Sequence, residues 1–213
     1  MTRPLVITDC DEVLMHMVVP FAEWVDAEHG VIFRIEDASF ANALKRKECG
    51  TPLEAAEVWP LLDGFFRKEM TRQYPIPGAM AAMAAIGAEA DIVVLTNVGP
   101  EHQQARIEQL ALHDFHAPVI GSRGGKGEPV RRLIEQYRPS VAVFIDDLAG
   151  HHRSVAEEAP EVWRLHFVGE PAIAGKIAAS PHAHARIDDW KAATCWIMAR
   201  LAENIPAPAP QPV

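Results

Sequence analysis

Four short stretches bring together residue types that handle phosphoryl groups. Asp9-Cys10-Asp11 follows the apolar run at 5–8, Thr96-Asn97 follows 92–95, Asp146-Asp147 follows 141–145, and Lys126 opens a helical segment between the last two. Three or four carboxylates gathered at one point repel one another and push at least one pKa upward, unless a cation holds them. A hard divalent ion with oxygen ligands removes that repulsion, and Mg²⁺ favours a few carboxylates together with water and phosphate. One carboxylate then remains as a nucleophile towards phosphorus. The Thr96 hydroxyl, the Asn97 amide and the Lys126 ammonium are the donors that the equatorial phosphoryl oxygens need.

These residues can meet only if the segments carrying them end side by side. The runs at 5–8, 92–95 and 141–145 are short, apolar and rich in β-branched residues, and read as buried strands; weaker strands are expected at 118–120 and 162–167. Helical periodicity fills 79–89, 100–112, 127–138 and 149–159, and a terminal helix suits 187–203. Strands alternating with helices predict an α/β fold, a Rossmann-like parallel sheet covered on both faces, with ligands beyond the carboxyl ends of its strands. The stretch 15–76 breaks this rhythm. With candidate helices near 19–29, 36–48 and 52–70, it reads as a small inserted helical cap. The expected organisation is a core from 1–14 and 77–204, a cap from 15–76, and a disordered proline-rich tail from 205–213 with prolines at 206, 208, 210 and 212.

The chain has 213 residues, with 20 Lys and Arg against 29 Asp and Glu, giving a net charge of −9. Such a balance gives no electrostatic footprint for nucleic acid or an anionic membrane. Cys10, Cys49 and Cys195 show no CxxC spacing, which argues against a disulfide framework and a cysteine zinc site. With no expected signal peptide or membrane span, the reading is a soluble cytoplasmic protein, monomer or homodimer.

Taken together, Ile7-Thr8-Asp9-Cys10-Asp11, Val94-Leu95-Thr96-Asn97, Lys126 and Phe144-Ile145-Asp146-Asp147 resemble, in order, the four motifs of the haloacid dehalogenase-like (HAD) hydrolase superfamily, in a member with a small cap of the C1 kind. The likeness covers about residues 4 to 167. It implies a Mg²⁺-dependent phosphatase acting on a small phosphorylated metabolite. Asp9 would form an aspartyl-phosphate and offer its second oxygen to Mg²⁺. Asp11 would act as general acid and then base, its backbone carbonyl ligating the metal. Thr96 and Asn97 would hold phosphoryl oxygens, and Lys126 would neutralise both nucleophile and phosphate. Asp147 would be the direct metal ligand, with Asp146 positioning Lys126 or a metal-bound water. The chain departs from the commoner pattern in carrying Glu12 where Gly is usual, and in following Lys126 with Gly127-Glu128-Pro129 rather than directly with Pro.

Other features favour ordinary roles. The Gly121–Lys126 stretch is one residue short of a nucleotide-binding P-loop, and Gly127 replaces its Ser or Thr. His151-His152 and His182-x-His184 lack transition-metal spacing, and Lys45-Arg46-Lys47 reads as a solvated helix face. His16 and Met17 sit where a cap hinge would face the site. The field of Asp9 and Asp11 should keep Cys10 protonated. Rival readings are sibling chemistries on the same fold (phosphomutase, phosphonatase, dehalogenase), a receiver-type phosphoacceptor module, and a catalytically silent scaffold. Asp11 speaks against a dehalogenase, which has no alkoxide to protonate. The late position of the adjacent acidic pair, together with the long insertion, speaks against a receiver.

Overall fold

A computed structural model describes residues 2–34 and 43–208. Along the chain the elements run β1 (Leu5–Thr8), α1 (Val18–His29), β2 (Val31–Phe33), β3 (Leu44–Arg46), α2 (Ala55–Lys68), α3 (Ala79–Glu89), β4 (Asp91–Thr96), α4 (Gln103–Ala111), β5 (Val119–Gly121), α5 (Gly127–Tyr137), β6 (Ala142–Asp146), α6 (Ala149–Glu158), β7 (Trp163–His166), α7 (Pro171–Ala174), β8 (Ala185–Arg186) and α8 (Trp190–Glu203). Six strands form one parallel sheet in the order β5-β4-β1-β6-β7-β8. The chain builds outwards from β1 to β5, then crosses back to start the other half at β6. The crevice beyond the ends of β1 and β6 is therefore the topological switch point, where ligands of open α/β sheets bind.

Because side chains alternate across a strand, neighbouring residues serve opposite layers. Val6, Val94, Val143, Ile145 and Leu165 face α3 and α8, packing on Met83, Ile86, Trp190 and Ile197. Leu5, Ile7, Val93, Leu95 and Phe144 face α5 and α6, packing on Val130, Leu133 and Val155. A third apolar cluster, with Phe21, Trp24, Val25, Phe33, Leu44, Val58, Phe65 and Phe66, sits in the insertion and takes in Val98 and Val168 from loops of the core and Ile173 from α7.

The insertion is not purely helical. Within the helix expected at 36–48, residues 44–46 form β3, paired antiparallel to β2 in the register Val31↔Arg46 and Phe33↔Leu44; the part at 35–42 lies outside the described residues. Gly30, at φ +60, ends α1 and turns the chain directly into Val31-Ile32-Phe33, whose alternation suits a strand. Lys45, Arg46 and Lys47 are exposed as expected, but on this hairpin and not on a helix; Arg46 pairs with Glu57 and Lys47 with Asp26. At the other end, the Ala207 N–H donates to Glu161 O (2.9 Å) and the Trp163 indole to Ile205 O (2.8 Å), so the start of the expected loose tail is held against the core. Residues 209–213 lie outside the described residues. Among the described residues, no helix is long and apolar enough to cross a membrane.

Candidate active site

At the switch point a buried lysine stands among acids. Lys126, at the N-terminal boundary of α5, is fully buried, with Nζ 2.9 Å from Asp9 Oδ1 and 2.6 Å from Asp146 Oδ2. Burial alone would depress its pKa, but Asp146 and Asp9 outweigh burial and hold the ammonium above the ordinary lysine range. Asp9 also accepts the Cys10 N–H at Oδ1 (2.7 Å), and Asp146 accepts the Leu148 N–H at Oδ1 (2.8 Å). Asp147 completes the group: carboxylate oxygens of Asp9, Asp146 and Asp147 lie within 4.8 Å of one another. One ammonium cannot balance three carboxylates. Burial, opposed by Lys126 and reinforced by Asp146 and Asp11, pushes Asp9 up to about 7, and burial with Asp146 and Asp9 pushes Asp147 well up. Asp146 is held below the usual range because Lys126, then His151 and His152, overcome the effect of its burial.

Gly127 makes the placement of Lys126 possible. Its N–H donates to Ser154 Oγ (2.9 Å), and a Cβ there would lie 2.2 Å from Ser154 O. The Gly-Glu-Pro departure thus brings α5 close against α6 and starts the helix immediately after the lysine. Thr96, at the end of β4, is fully buried and its Oγ1 has no hydrogen-bond partner among the described residues. An orphaned hydroxyl is costly in a folded interior and marks a place where an external acceptor fits. The Asn97 side chain is already engaged, donating to Gly124 O (2.9 Å) and accepting from Ser122 Oγ (2.8 Å). It braces the loop that leads to Lys126.

Asp11 lies outside the carboxylate trio. Its two oxygens accept a fork from Arg106 Nη2 on α4, at 2.8 and 2.9 Å, and Oδ1 also accepts from Gln73 Nε2 (2.6 Å). Fully buried Arg106 donates through Nη1 to Gln73 Oε1 (3.0 Å) and Gln109 Oε1 (2.7 Å), and its guanidinium lies 5.8 Å from the Phe66 ring centre. Sequence reasoning missed Arg106, Gln73 and Gln109. The available signal was the helical spacing of His102, Arg106, Gln109 and Leu110, which puts polar residues on the inward stripe of α4.

Cys10 is buried, and burial first of all raises its pKa; Asp11 and Asp9 add to that effect, so the expected direction holds while the main cause differs. His152 packs with Nε2 2.9 Å from Asp146 O, and His151 Nε2 lies 3.4 Å from Asn97 Nδ2. His184 accepts the Arg164 N–H at Nδ1 (3.0 Å), while His182 lends its carbonyl to Arg164 Nε (2.7 Å). His16 is buried beside Glu170, and Met17 packs against the apolar cluster of the insertion.

No family model matches the chain. Over 193 residues it is 26% identical to the pyrimidine 5'-nucleotidase YjjG of Escherichia coli (strain K12), covering 88% of this chain and 71% of that protein. Among solved structures it is similar to YfnB of Bacillus subtilis, assigned as a HAD-hydrolase and solved bound to magnesium, with a TM-score of 0.65 at 11% identity over 92% of this chain and 99% of the other. A haloacid dehalogenase-like family hydrolase from Streptococcus pneumoniae gives a TM-score of 0.62 at 13% identity over 91% and 97% of the two chains. The chain thus shares the fold of haloacid dehalogenase-like hydrolases, its six-stranded parallel sheet carrying a small inserted region of helices and a hairpin.

Proposed function

We propose that the chain is a Mg²⁺-dependent phosphatase that hydrolyses a small phosphorylated metabolite through an aspartyl-phosphate on Asp9. The observation that carries this reading is the buried Lys126 held between Asp9 and Asp146, with the orphaned Thr96 hydroxyl at the end of the adjoining strand β4. The donor set also fits Mg²⁺: it is all oxygen, and one buried ammonium leaves it short of positive charge. Asp9 and Asp147, with the Asp11 backbone carbonyl, would hold the ion, while Asp146 keeps Lys126 in place. When bound, Mg²⁺ draws charge from the phosphoryl oxygens and relieves the repulsion among the acids.

Asp9 Oδ1 is fixed by Lys126 and the Cys10 N–H, which leaves Oδ2 to bond to phosphorus as the bond to the leaving oxygen breaks. Protonated Asp11 gives its proton to that oxygen. The Asp11 carboxylate then takes a proton from water, whose oxygen attacks the phosphorus and frees Asp9, releasing inorganic phosphate. Both steps require Asp11 to leave the Arg106 fork, which engages both of its oxygens. Thr96, the backbone N–H of Asn97 and Lys126 would receive the equatorial oxygens.

Similarity to a pyrimidine 5'-nucleotidase supports nucleoside monophosphates as one candidate ester class. The cytoplasm remains the proposed compartment, in keeping with the free thiols of Cys10, Cys49 and Cys195. Phosphate release from nucleoside monophosphates, sugar phosphates and an aryl phosphate, with Mg²⁺ or with EDTA, tests the proposal. Turnover should need Mg²⁺ and vanish in Asp9→Asn; wild-type turnover in that variant would refute the mechanism.

A further inference from the structure

Beside the aspartate site, where the chain passes from the core into the insertion, a second group of ionisable side chains is buried without a role in the proposed reaction. Glu12, His16 and Glu170 are 1%, 5% and 7% exposed, and each offers an oxygen or nitrogen within 4.8 Å of the others. In both acids one oxygen is fixed by backbone. Glu12 Oε1 accepts the N–H groups of Met17 (2.8 Å) and Val18 (2.6 Å), and Glu170 Oε1 accepts that of Ala172 (2.8 Å). The opposite oxygens are left for a common partner. Glu12 Oε2 is buried with no hydrogen-bond partner among the described residues, and His16 Nδ1 lies 3.0 Å from Glu170 Oε2 without the alignment of a hydrogen bond. Gly169 donates its N–H to Glu12 O (2.6 Å), locking the two acid-bearing segments together.

Anchoring α1 does not account for this arrangement. An uncharged side chain would cap Met17 and Val18 equally well, without burying a second oxygen or facing another acid. Glu12 also adopts φ +58, a left-handed backbone that disfavours a side chain, so a glutamate at this position carries a backbone penalty as well as a desolvation penalty. A cation between the three side chains would offset the desolvation.

We propose that Glu12, His16 and Glu170 form a second cation site, separate from the aspartates, that takes a transition ion of the Zn²⁺ type through Glu12 Oε2, His16 Nδ1 and Glu170 Oε2. The imidazole nitrogen favours such an ion over Mg²⁺. Two carboxylates balance its charge, three protein ligands leave room for a water, and the backbone N–H bonds to the far oxygens are the outer-shell support that orients ligands in metal sites. The ion would tie the crossing at 12–17 to the loop carrying Glu170, and so fix the root of the insertion.

The test uses the full chain, stripped with chelator and then saturated with Mg²⁺ to fill the aspartate site. Co²⁺ titration is read by visible absorption, and Zn²⁺ titration by calorimetry. The expected result is one equivalent of either ion, with a d–d absorption band for Co²⁺. Affinity should fall about tenfold or more in His16→Gln and Glu170→Gln and persist in Asp147→Asn. Glu12→Gln keeps the acceptor for Met17 and Val18 and serves if the other variants fail to fold; it should weaken binding likewise. Absence of a bound equivalent in the wild type, unchanged binding in folded Glu12→Gln, or a band lost in Asp147→Asn but kept in His16→Gln would each overturn the proposal. None of these readouts depends on phosphatase activity.

Discussion

Replacing Arg106 by methionine separates a structural from a chemical role for Asp11. The guanidinium is fully buried, while the Asp11 side chain retains 16% exposure. Four hydrogen bonds disappear with it, two to Asp11 and one each to Gln73 and Gln109. Asp11 keeps only Gln73 among these partners, and two amide oxygens lose a donor. Removing one member of a buried ion pair costs about 3–5 kcal/mol, mostly from the charge left behind, and the partial exposure of Asp11 places the loss at about 3 kcal/mol. If that account is right, removing the stranded charge as well recovers part of the loss. Arg106→Met with Asp11→Asn should be more stable than the sum of the single variants implies, by about 2 kcal/mol. Urea unfolding of the four proteins measures the cycle, provided the denaturant slopes agree. Additive effects, or an Arg106→Met loss below about 1 kcal/mol, would show that the fork carries no appreciable energy.

Lys126→Met leaves Asp9, Asp146 and Asp147 without their buried cation, so turnover should be lost and stability should fall by about 3–5 kcal/mol. Added Mg²⁺ should raise the melting temperature of that variant more than that of the wild type, and an equal rise would contradict the charge account. Gly127→Ala places a Cβ against Ser154 O; a loss of about 1–3 kcal/mol and weaker turnover are expected, and an unchanged melting temperature would mean that α5 and α6 can part without cost. His184 is held neutral, its pKa lowered to about 4 by burial and then by Arg164. The unfolded chain takes up a proton near pH 6.5 that the folded chain refuses until about pH 4, so stability present above 6.5 is lost as the pH falls through that window. Urea unfolding at pH 7 and 5 should show the decline, and His184→Gln should reduce its slope; an identical slope would assign the decline to other groups.

Much of the sheet was readable because β1, β4 and β6 are nearly continuous apolar runs, a pattern required only of strands covered on both faces. Ala185-Arg186 carries no such signal: β8 is two residues long and exists because β7 offers it an edge. The hairpin escaped because Lys45-Arg46-Lys47 suggests a charged helix face, whereas its geometry follows from Gly30 and the partner strand Val31–Phe33. Asp9, Thr96, Lys126 and Asp146 were legible because each ends a strand or begins a helix at the same edge of the sheet. The partner of Asp11 was not, since Arg106 lies 95 residues away and an isolated arginine in an amphipathic helix says nothing of what it faces. The bracing contacts of the Asn97 side chain, to Gly124 O and Ser122 Oγ, were not legible either.

Strand order also bears on how the protein is made. β1 is translated before the other strands of its sheet, yet it lies between β4 and β6, and its second neighbour begins only at Ala142. Until that segment leaves the ribosome, the nascent chain carries Leu5–Thr8 with one edge unpaired, a template for association with other chains. A product truncated before residue 142 would keep that exposed edge permanently and would also lack Asp146, the second anchor of Lys126.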